Sequence, residues 1–382
     1  DDWRVVIADA GHVMVADPSS ADPIVAPVTT SIWRGFAGLT RATLADVDGD
    51  DSRELILRTT DAKLGPVLSV VALGPSPKRP AAVGGTTLWS YVHGDASIRW
   101  SNTNGDAFAL HDVDGDGGQD ILATYAGSGA TPANGWRTFV RGSDGAPLWQ
   151  GDNPCVMGER QQLSIADDSD ATTGILSLFY TRIRCNLADG AVVESKVSPG
   201  PVQYGVAVLA SLPTIPGLSA VYAFAFGGVA AEREDFGVLW GEKTQEFKLS
   251  GGALIQAPQV DGSTRPTLVT ARNRHTWVAF DATTGATLWT ANYAAGARLA
   301  AGAEKVDTLF GTPVGVADLT GKGRPSVLFV SSEGILYAIN GVSGDVDWSR
   351  DYGGAVGTPI VADIDGDGEV EILITTPSGD LE

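Results

Sequence analysis

The stretch Asp363-Ile-Asp365-Gly-Asp367-Gly-Glu369-Val-Glu371, running into Ile-Leu-Ile-Thr-Thr, decides how this chain is read. Carboxylates stand at positions 1, 3, 5 and 9 of one short loop, with glycines at 4 and 6. Acids this close repel one another unless a cation sits between them. A hard cation that takes six to eight oxygens fits such a loop, and calcium is the first choice. The glycines let the backbone curl until alternate side chains face one centre. The apolar run that follows reads as a strand, where an EF-hand would need a helix.

The stretch recurs. Asp46-Val-Asp48-Gly-Asp50-Asp-Ser52-Arg-Glu54 precedes Leu-Ile-Leu, and Asp112-Val-Asp114-Gly-Asp116-Gly-Gly118-Gln-Asp120 precedes Ile-Leu-Ala. Each is led by a short apolar run, so the unit is strand, acidic loop, strand, and the chain is built from copies of it. The expected ligands are Asp46, Asp48, Asp50, the Ser52 carbonyl and Glu54; Asp112, Asp114, Asp116, the Gly118 carbonyl and Asp120; and Asp363, Asp365, Asp367, the Glu369 carbonyl and Glu371. This predicts three calcium ions.

The same strand–loop–strand position falls near residues 46, 112, 167, 211, 259, 318 and 363. Seven copies spaced for four strands each predict an all-β fold, a single β-propeller of seven blades over residues 1–380. Residues 4–33 offer three strands without an acidic loop, and residues 355–378 offer inner strands without outer ones. Pairing of the two ends in one sheet would close the ring and hide both edges. Eight blades, the last built from the N-terminal strands alone, is the alternative. The 48 glycines and 20 prolines suit many short strands joined by turns, and no long amphipathic helical pattern occurs.

Four of the loops have lost their ligands. Asp167, Asp168 and Asp170 are wrongly spaced; the loops at Ser211 and Gln259 carry almost no acids; and Asp318-Leu-Thr-Gly-Lys322-Gly puts an ammonium at the fifth position, where Lys322 would serve Asp318 as counter-ion. Residues 197–231 carry no charge, but Pro213, Pro216 and Gly217 interrupt them and Tyr222, Phe224 and Phe226 alternate with small residues. That period of two reads as an inner strand pair, with no transmembrane helix. The segment Gly65–Gly85, with Pro-Ser-Pro-Lys-Arg-Pro inside it, reads as a surface insertion.

A second repeated element ends several units. Gly142-Ser-Asp-Gly145-Ala-Pro-Leu-Trp149, Asp281-Ala-Thr-Thr-Gly285-Ala-Thr-Leu-Trp289 and Asn340-Gly-Val-Ser-Gly344-Asp-Val-Asp-Trp348 are each a tight turn and then a strand ending in Trp; Thr86-Thr-Leu-Trp89 keeps the strand. At this regular spacing the tryptophans are expected to pack between neighbouring sheets.

The net charge of −20 argues against nucleic acid or an anionic membrane as partner. Cys155 and Cys185 lie thirty residues apart without metal-type spacing. They read as one disulfide in an oxidising compartment, with buried free thiols as the alternative. The start at Asp1 without Met reads as a processed or trimmed chain, and Leu381-Glu382 resembles a tag junction, so the natural chain is expected to continue. The absence of an Asn-X-Ser/Thr sequon favours a bacterial origin.

The acidic loops resemble the FG-GAP (VCBS-type) propeller repeats of integrin α-subunit heads and bacterial surface proteins. The pattern matches well at 363–375 and 112–122. At 46–57 it departs once, where Asp51 replaces the second Gly; Asp tolerates left-handed geometry better than most residues. The Gly-x-x-x-Trp strands resemble those of quinoprotein (PQQ-like) propellers. The resemblance implies that loop calcium is structural and that a ligand binds elsewhere, on the loop face of the ring.

Function is less legible than fold. The reading is a secreted, cell-surface or periplasmic module that binds a protein or glycan, without membrane insertion, in a larger surface protein. The alternative is a carbohydrate-active enzyme of the polysaccharide-lyase kind. No motif surrounds His12, His93, His111 or His275, and His111 leads a calcium loop, where strand-end packing is expected. A quinone-dependent dehydrogenase fits less well because the vicinal cysteine pair of many such enzymes is missing.

Overall fold

The computed structural model describes residues 41–100, 109–127, 137–149, 162–165, 173–178, 181–197, 204–212, 215, 218–224, 228–233, 237–243, 252–259, 261–272, 276–292, 315–319, 321–331, 334–354, 356, 359–362 and 369–378, with the strands at 5–8 and 13–16. These residues form strands and turns, with no helix among them.

The first pair is β1 (Val5–Ala8) and β2 (Val13–Ala16). A four-stranded sheet follows from β3 (Arg41–Ala45), β4 (Glu54–Asp61), β5 (Gly65–Val71) and β6 (Thr87–Val92). In the next sheet β7 (Arg99–Trp100) and β8 (Ala109–His111) both pair with β9 (Asp120–Ala126), which pairs with β10 (Arg137–Val140). The third sheet is β11 (Gln162–Ile165), β12 (Thr173–Leu178), β13 (Thr181–Asn186) and β14 (Val192–Val197). The fourth is β15 (Tyr204–Ser211), β16 (Leu218–Phe224), β17 (Gly228–Arg233) and β18 (Val238–Lys243). Then come β19 (Gly252–Pro258), β20 (Thr264–Ala271), β21 (Thr276–Asp281) and β22 (Thr287–Asn292). The sixth is β23 (Gly315–Ala317), β24 (Ser326–Val330), β25 (Ile335–Asn340) and β26 (Val346–Asp351). The last pair is β27 (Ile360–Ala362) and β28 (Glu371–Leu373).

Six of the seven positions expected for the inner loop join the first two strands of a sheet or pair, and the one near 112 joins β8 and β9. The uncharged segment 197–231 contributes β15 and β16, an inner pair as expected; no helix among the described residues is long and apolar enough to cross a membrane. Two expectations need correction. Gly65–Val71 is a buried strand, so the insertion is only the β5–β6 connection, residues 72–86. Its Gly and Pro open the strand rather than break it. The strand expected before Trp149 is reduced to a single bridge, Val140 to Pro147, because proline brings no N–H to the ladder. The third N-terminal strand, Pro23–Val28, lies outside the described residues.

Contacts divide the chain into two compact units, Asp1–Leu176 with Ile183–Ser195, and Ser177–Arg182 with Lys196–Glu382. Within each, successive sheets pack face to face. In the first, Ile56, Leu68 and Val70 meet Trp100, Ile121 and Tyr125, while Leu122, Phe139 and Trp149 pack on Cys185 and Leu187. In the second, Trp277 stacks on Phe329 at 4.5 Å, and Phe329 on Tyr337 at 4.8 Å. Strands β4, β5, β21 and β25 are buried almost throughout, whereas β6 and β26 are half-exposed or exposed. Burial on both faces explains why the middle strands read as unbroken apolar runs.

The tryptophans pack between sheets, as expected. Trp89 donates its indole N–H to the Gly142 carbonyl (2.7 Å), Trp149 to Leu187 (2.6 Å), Trp240 to Ala282 (2.7 Å) and Trp289 to Gly341 (3.0 Å). Each acceptor lies in the next sheet: Leu187, Ala282 and Gly341 at the turn before its fourth strand, and Gly142 at the turn after β10. The rings of Trp89, Trp240 and Trp289 rest on Gly145, Gly285 and Gly344, where a Cβ would come within 2.6 Å of the indole. A β-bulge lies beside four of the tryptophans. Val70, Ala231, Ala279 and Ala338 pair with Trp89, Trp240, Trp289 and Trp348, and the register shifts at the next residue in all four sheets.

Candidate metal-binding loops

The β3–β4 and β8–β9 connections lie side by side in the first unit. The Gln119 N–H donates to the Asp46 carbonyl at 2.8 Å. A Cβ on Gly49 would come within 2.8 Å of the Gly117 carbonyl carbon, and one on Gly118 within 2.5 Å of the Val47 oxygen. Only glycine permits this approach.

In the first loop the Asp46 carboxylate organises the turn. Its Oδ1 accepts the N–H groups of Asp48 (3.2 Å), Gly49 (2.7 Å) and Asp50 (3.1 Å), and its Oδ2 that of Asp51 (2.8 Å). Asp51 has φ 66°, the one non-glycine with positive φ among the described residues. It takes the geometry of the glycine it replaces. Asp46, Asp48 and Asp50 converge, with a ligand atom of each within 4.8 Å of the others. Glu54 lies outside that group. Its Oε2 accepts the Val47 N–H at 3.1 Å and its Oε1 meets Arg79 at 3.3 Å. Burial pushes the Glu54 carboxyl up to about 7, and Asp48 and Asp50 add to this, outweighing the opposing Val47 hydrogen bond and Arg79.

Residues 72–86 bring cations to this loop. The Lys78 ammonium donates to the Asp48 carbonyl oxygen, and Arg79 pairs with the Asp48 carboxylate at 2.8 Å. Burial raises the Asp48 carboxyl, with Arg79 and Lys78 acting the other way. Burial raises Asp50 too, but hydrogen bonds from the Ser76 hydroxyl and the backbone of Lys78 and Ser52 hold it at about 2.

The second loop has the same skeleton. Asp112 accepts the N–H groups of Gly115 (2.8 Å), Asp116 (3.1 Å) and Gly117 (3.0 Å). Asp112, Asp114 and Asp120 converge within 4.8 Å, while Asp116 stays outside that group and turns an oxygen toward the Ser143 hydroxyl at 3.4 Å. Asp120 is fully buried; it accepts the Val113 and Gly142 N–H groups at 2.9 Å each. Burial raises it to about 6 despite those two bonds, with Asp114 and Asp116 adding to the rise. Among the described residues the cation at this loop is Arg141, 2.8 Å from Asp114 and shared with Asp144, and it is 35% exposed.

Residues 363–368 of the third loop lie outside the described residues, which contain Glu369, exposed, and Glu371, in β28. In the loop at Asp318 the carboxylate accepts the backbone N–H groups of Lys322 (3.3 Å) and Gly323 (2.6 Å). Cys185 is buried, while Cys155 lies outside the described residues. His93 is buried against Tyr125, ring centroids 4.5 Å apart, and His111 ends β8; His12 and His275 lie outside the described residues.

No family model matches the chain, and no curated protein matches its sequence. Solved structures do. BamB from Moraxella catarrhalis is 12% identical with a TM-score of 0.51, over 100% of this chain and 97% of that one. Sqt1 of Saccharomyces cerevisiae is 10% identical at 0.55, over 99% and 94%. A europium-containing methanol dehydrogenase is 12% identical at 0.55, over 98% and 80%. These are β-propeller proteins, and at such identities the likeness concerns fold alone. The repeated four-stranded sheets, their face-to-face packing and these likenesses agree: the chain is an all-β protein with a β-propeller fold.

Proposed function

We propose that this chain is a calcium-stabilised propeller that acts as a secreted, cell-surface or periplasmic binding module for a protein or glycan. The observation that carries the calcium is the second loop, where Asp112, Asp114 and Asp120 converge against one half-exposed arginine. The donors are all oxygens, which suits calcium or another hard cation. Asp116 and the Gly118 carbonyl would complete the set, and the ion's work there is to neutralise the acids and stiffen the turn. The loop at Asp363, Asp365, Asp367, Glu369 and Glu371 is proposed to do the same in the last strand pair. A bridge from Cys155 to Cys185 belongs to this reading and fits a non-cytoplasmic compartment.

A module is favoured over a carbohydrate-active enzyme because His93 is engaged in packing and His111 ends a strand beside an acidic loop. The test is a glycan and protein array probed with the full chain in calcium and in EDTA. Retention of a ligand class in calcium, without turnover, supports the module. Release of unsaturated products from a uronic-acid polysaccharide would overturn it in favour of the lyase.

A further inference from the structure

We infer that the Asp46 loop takes its counter-charge from the chain itself: Lys78 and Arg79 stand in for a divalent ion, and this loop binds none. The proposal concerns only the first loop and holds whether or not the second is filled.

The carrier is a specialised version of a repeated element. In the third, fifth and sixth sheets the third and fourth strands meet in a tight turn, Asn186–Gly190, Asp281–Gly285 and Asn340–Gly344, each with a glycine N–H to carbonyl bond of 2.8 Å. In the first sheet that turn is replaced by residues 72–86, pinned at its base by Ala72 and Gly85 at 2.8 Å. At its tip Ser76 and Arg79 exchange backbone hydrogen bonds of 3.1 and 3.0 Å around Pro77 and Lys78. Proline at the second position of such a turn sets its backbone angle before folding. Lys78 and Arg79 are therefore presented from a preorganised tip.

The tip is fastened to the acidic loop at several points. The Lys78 N–H donates to Asp50 Oδ2 at 3.0 Å, and its ammonium reaches the Asp48 carbonyl. Arg79 spans two carboxylates, Asp48 at 2.8 Å and Glu54 at 3.3 Å. Asp48 is 5% exposed; Arg79 holds its Oδ2, and its Oδ1 has no hydrogen-bond partner. A divalent ion held by Asp46, Asp48 and Asp50 would sit beside an ammonium and a guanidinium and be repelled by both. The second loop differs: among the described residues its cation, Arg141, is more exposed and is shared between Asp114 and Asp144.

Removing the two cations should create the site they replace, because Asp46, Asp48 and Asp50 already converge and Asp48 Oδ1 is a free ligand atom. The experiment counts calcium per chain by elemental analysis after equilibrium dialysis against calcium. Asp48→Asn should leave the wild-type count unchanged. Lys78→Met with Arg79→Met should raise it by one, and adding Asp48→Asn should remove that ion again. Loss of one ion from wild type on Asp48→Asn overturns the proposal, as does a folded double variant that gains none. Should the double variant not fold, the isosteric Asp48→Asn decides alone. A wild-type count of zero would sink the calcium reading of the other loops and leave this contrast intact.

Discussion

Gly145→Ala tests the docking of tryptophan on the following sheet. Gly145 has φ +76°, and a Cβ there would lie 2.6 Å from Trp89 Cε3 and 2.8 Å from Cδ2. Gly94 serves as control, with φ +84° and nothing within 4 Å of its Cβ. Left-handed geometry alone costs an alanine about 1–2 kcal/mol. Forcing a methyl into a packed ring adds about 1–3 kcal/mol. Gly94→Ala should therefore lose about 1–2 kcal/mol and Gly145→Ala about 2–5 kcal/mol. Urea midpoints at unchanged slope give both values. Trp89→Leu in the Gly145→Ala background should recover the steric share, which a double-mutant cycle reads as coupling. Equal losses at the two glycines, or strict additivity with Trp89→Leu, would refute the reasoning.

Three further outcomes are expected. Glu54 is raised from 4.5 to about 7 in the fold, so its contribution is full below about pH 4.5 and is lost as pH rises through about 7. The loss should be about 1–3 kcal/mol, and Glu54→Gln should flatten the urea midpoint between those values; an unchanged slope would remove Glu54 as its source. EDTA should lower the melting temperature of wild type by several degrees and that of Asp112→Asn by less; the same contrast is expected for Asp363→Ala. Thiol titration of unfolded, unreduced protein should find no free thiol, and Cys155→Ser should cost roughly 3 kcal/mol.

The inner loops were legible because acids and glycines at fixed offsets survive as a pattern even where half the ligands are gone. The tryptophan turns were legible for the same reason, since Gly at one position and Trp four residues later recur in Trp149, Trp289 and Trp348. What hid was whatever depends on pairing across strands. The bulge beside Trp89, Trp240, Trp289 and Trp348 leaves no mark in composition. Nor does the seam where Gly49 meets Gly117, because the two loops are distant in the chain. Lys78 and Arg79 fall in a segment that reads only as a surface insertion; their contacts with Asp48 and Glu54 appear once β5 and β6 carry them back over the loop. Function stayed least legible, because the motifs that recur are those that hold sheets together.

The direction of the indole hydrogen bonds has a consequence for how the chain comes off the ribosome. Each donor precedes its acceptor, by 53, 38, 42 and 52 residues for Trp89, Trp149, Trp240 and Trp289. At about 5–20 residues per second, Gly142 is synthesised roughly 3–10 s after Trp89. A sheet can pair its own strands in far less time than that. Its tryptophan must then wait, half covered, for the sheet behind it. In these four cases the later sheet is thus the template on which its predecessor finishes folding, and maturation there trails synthesis by one repeat.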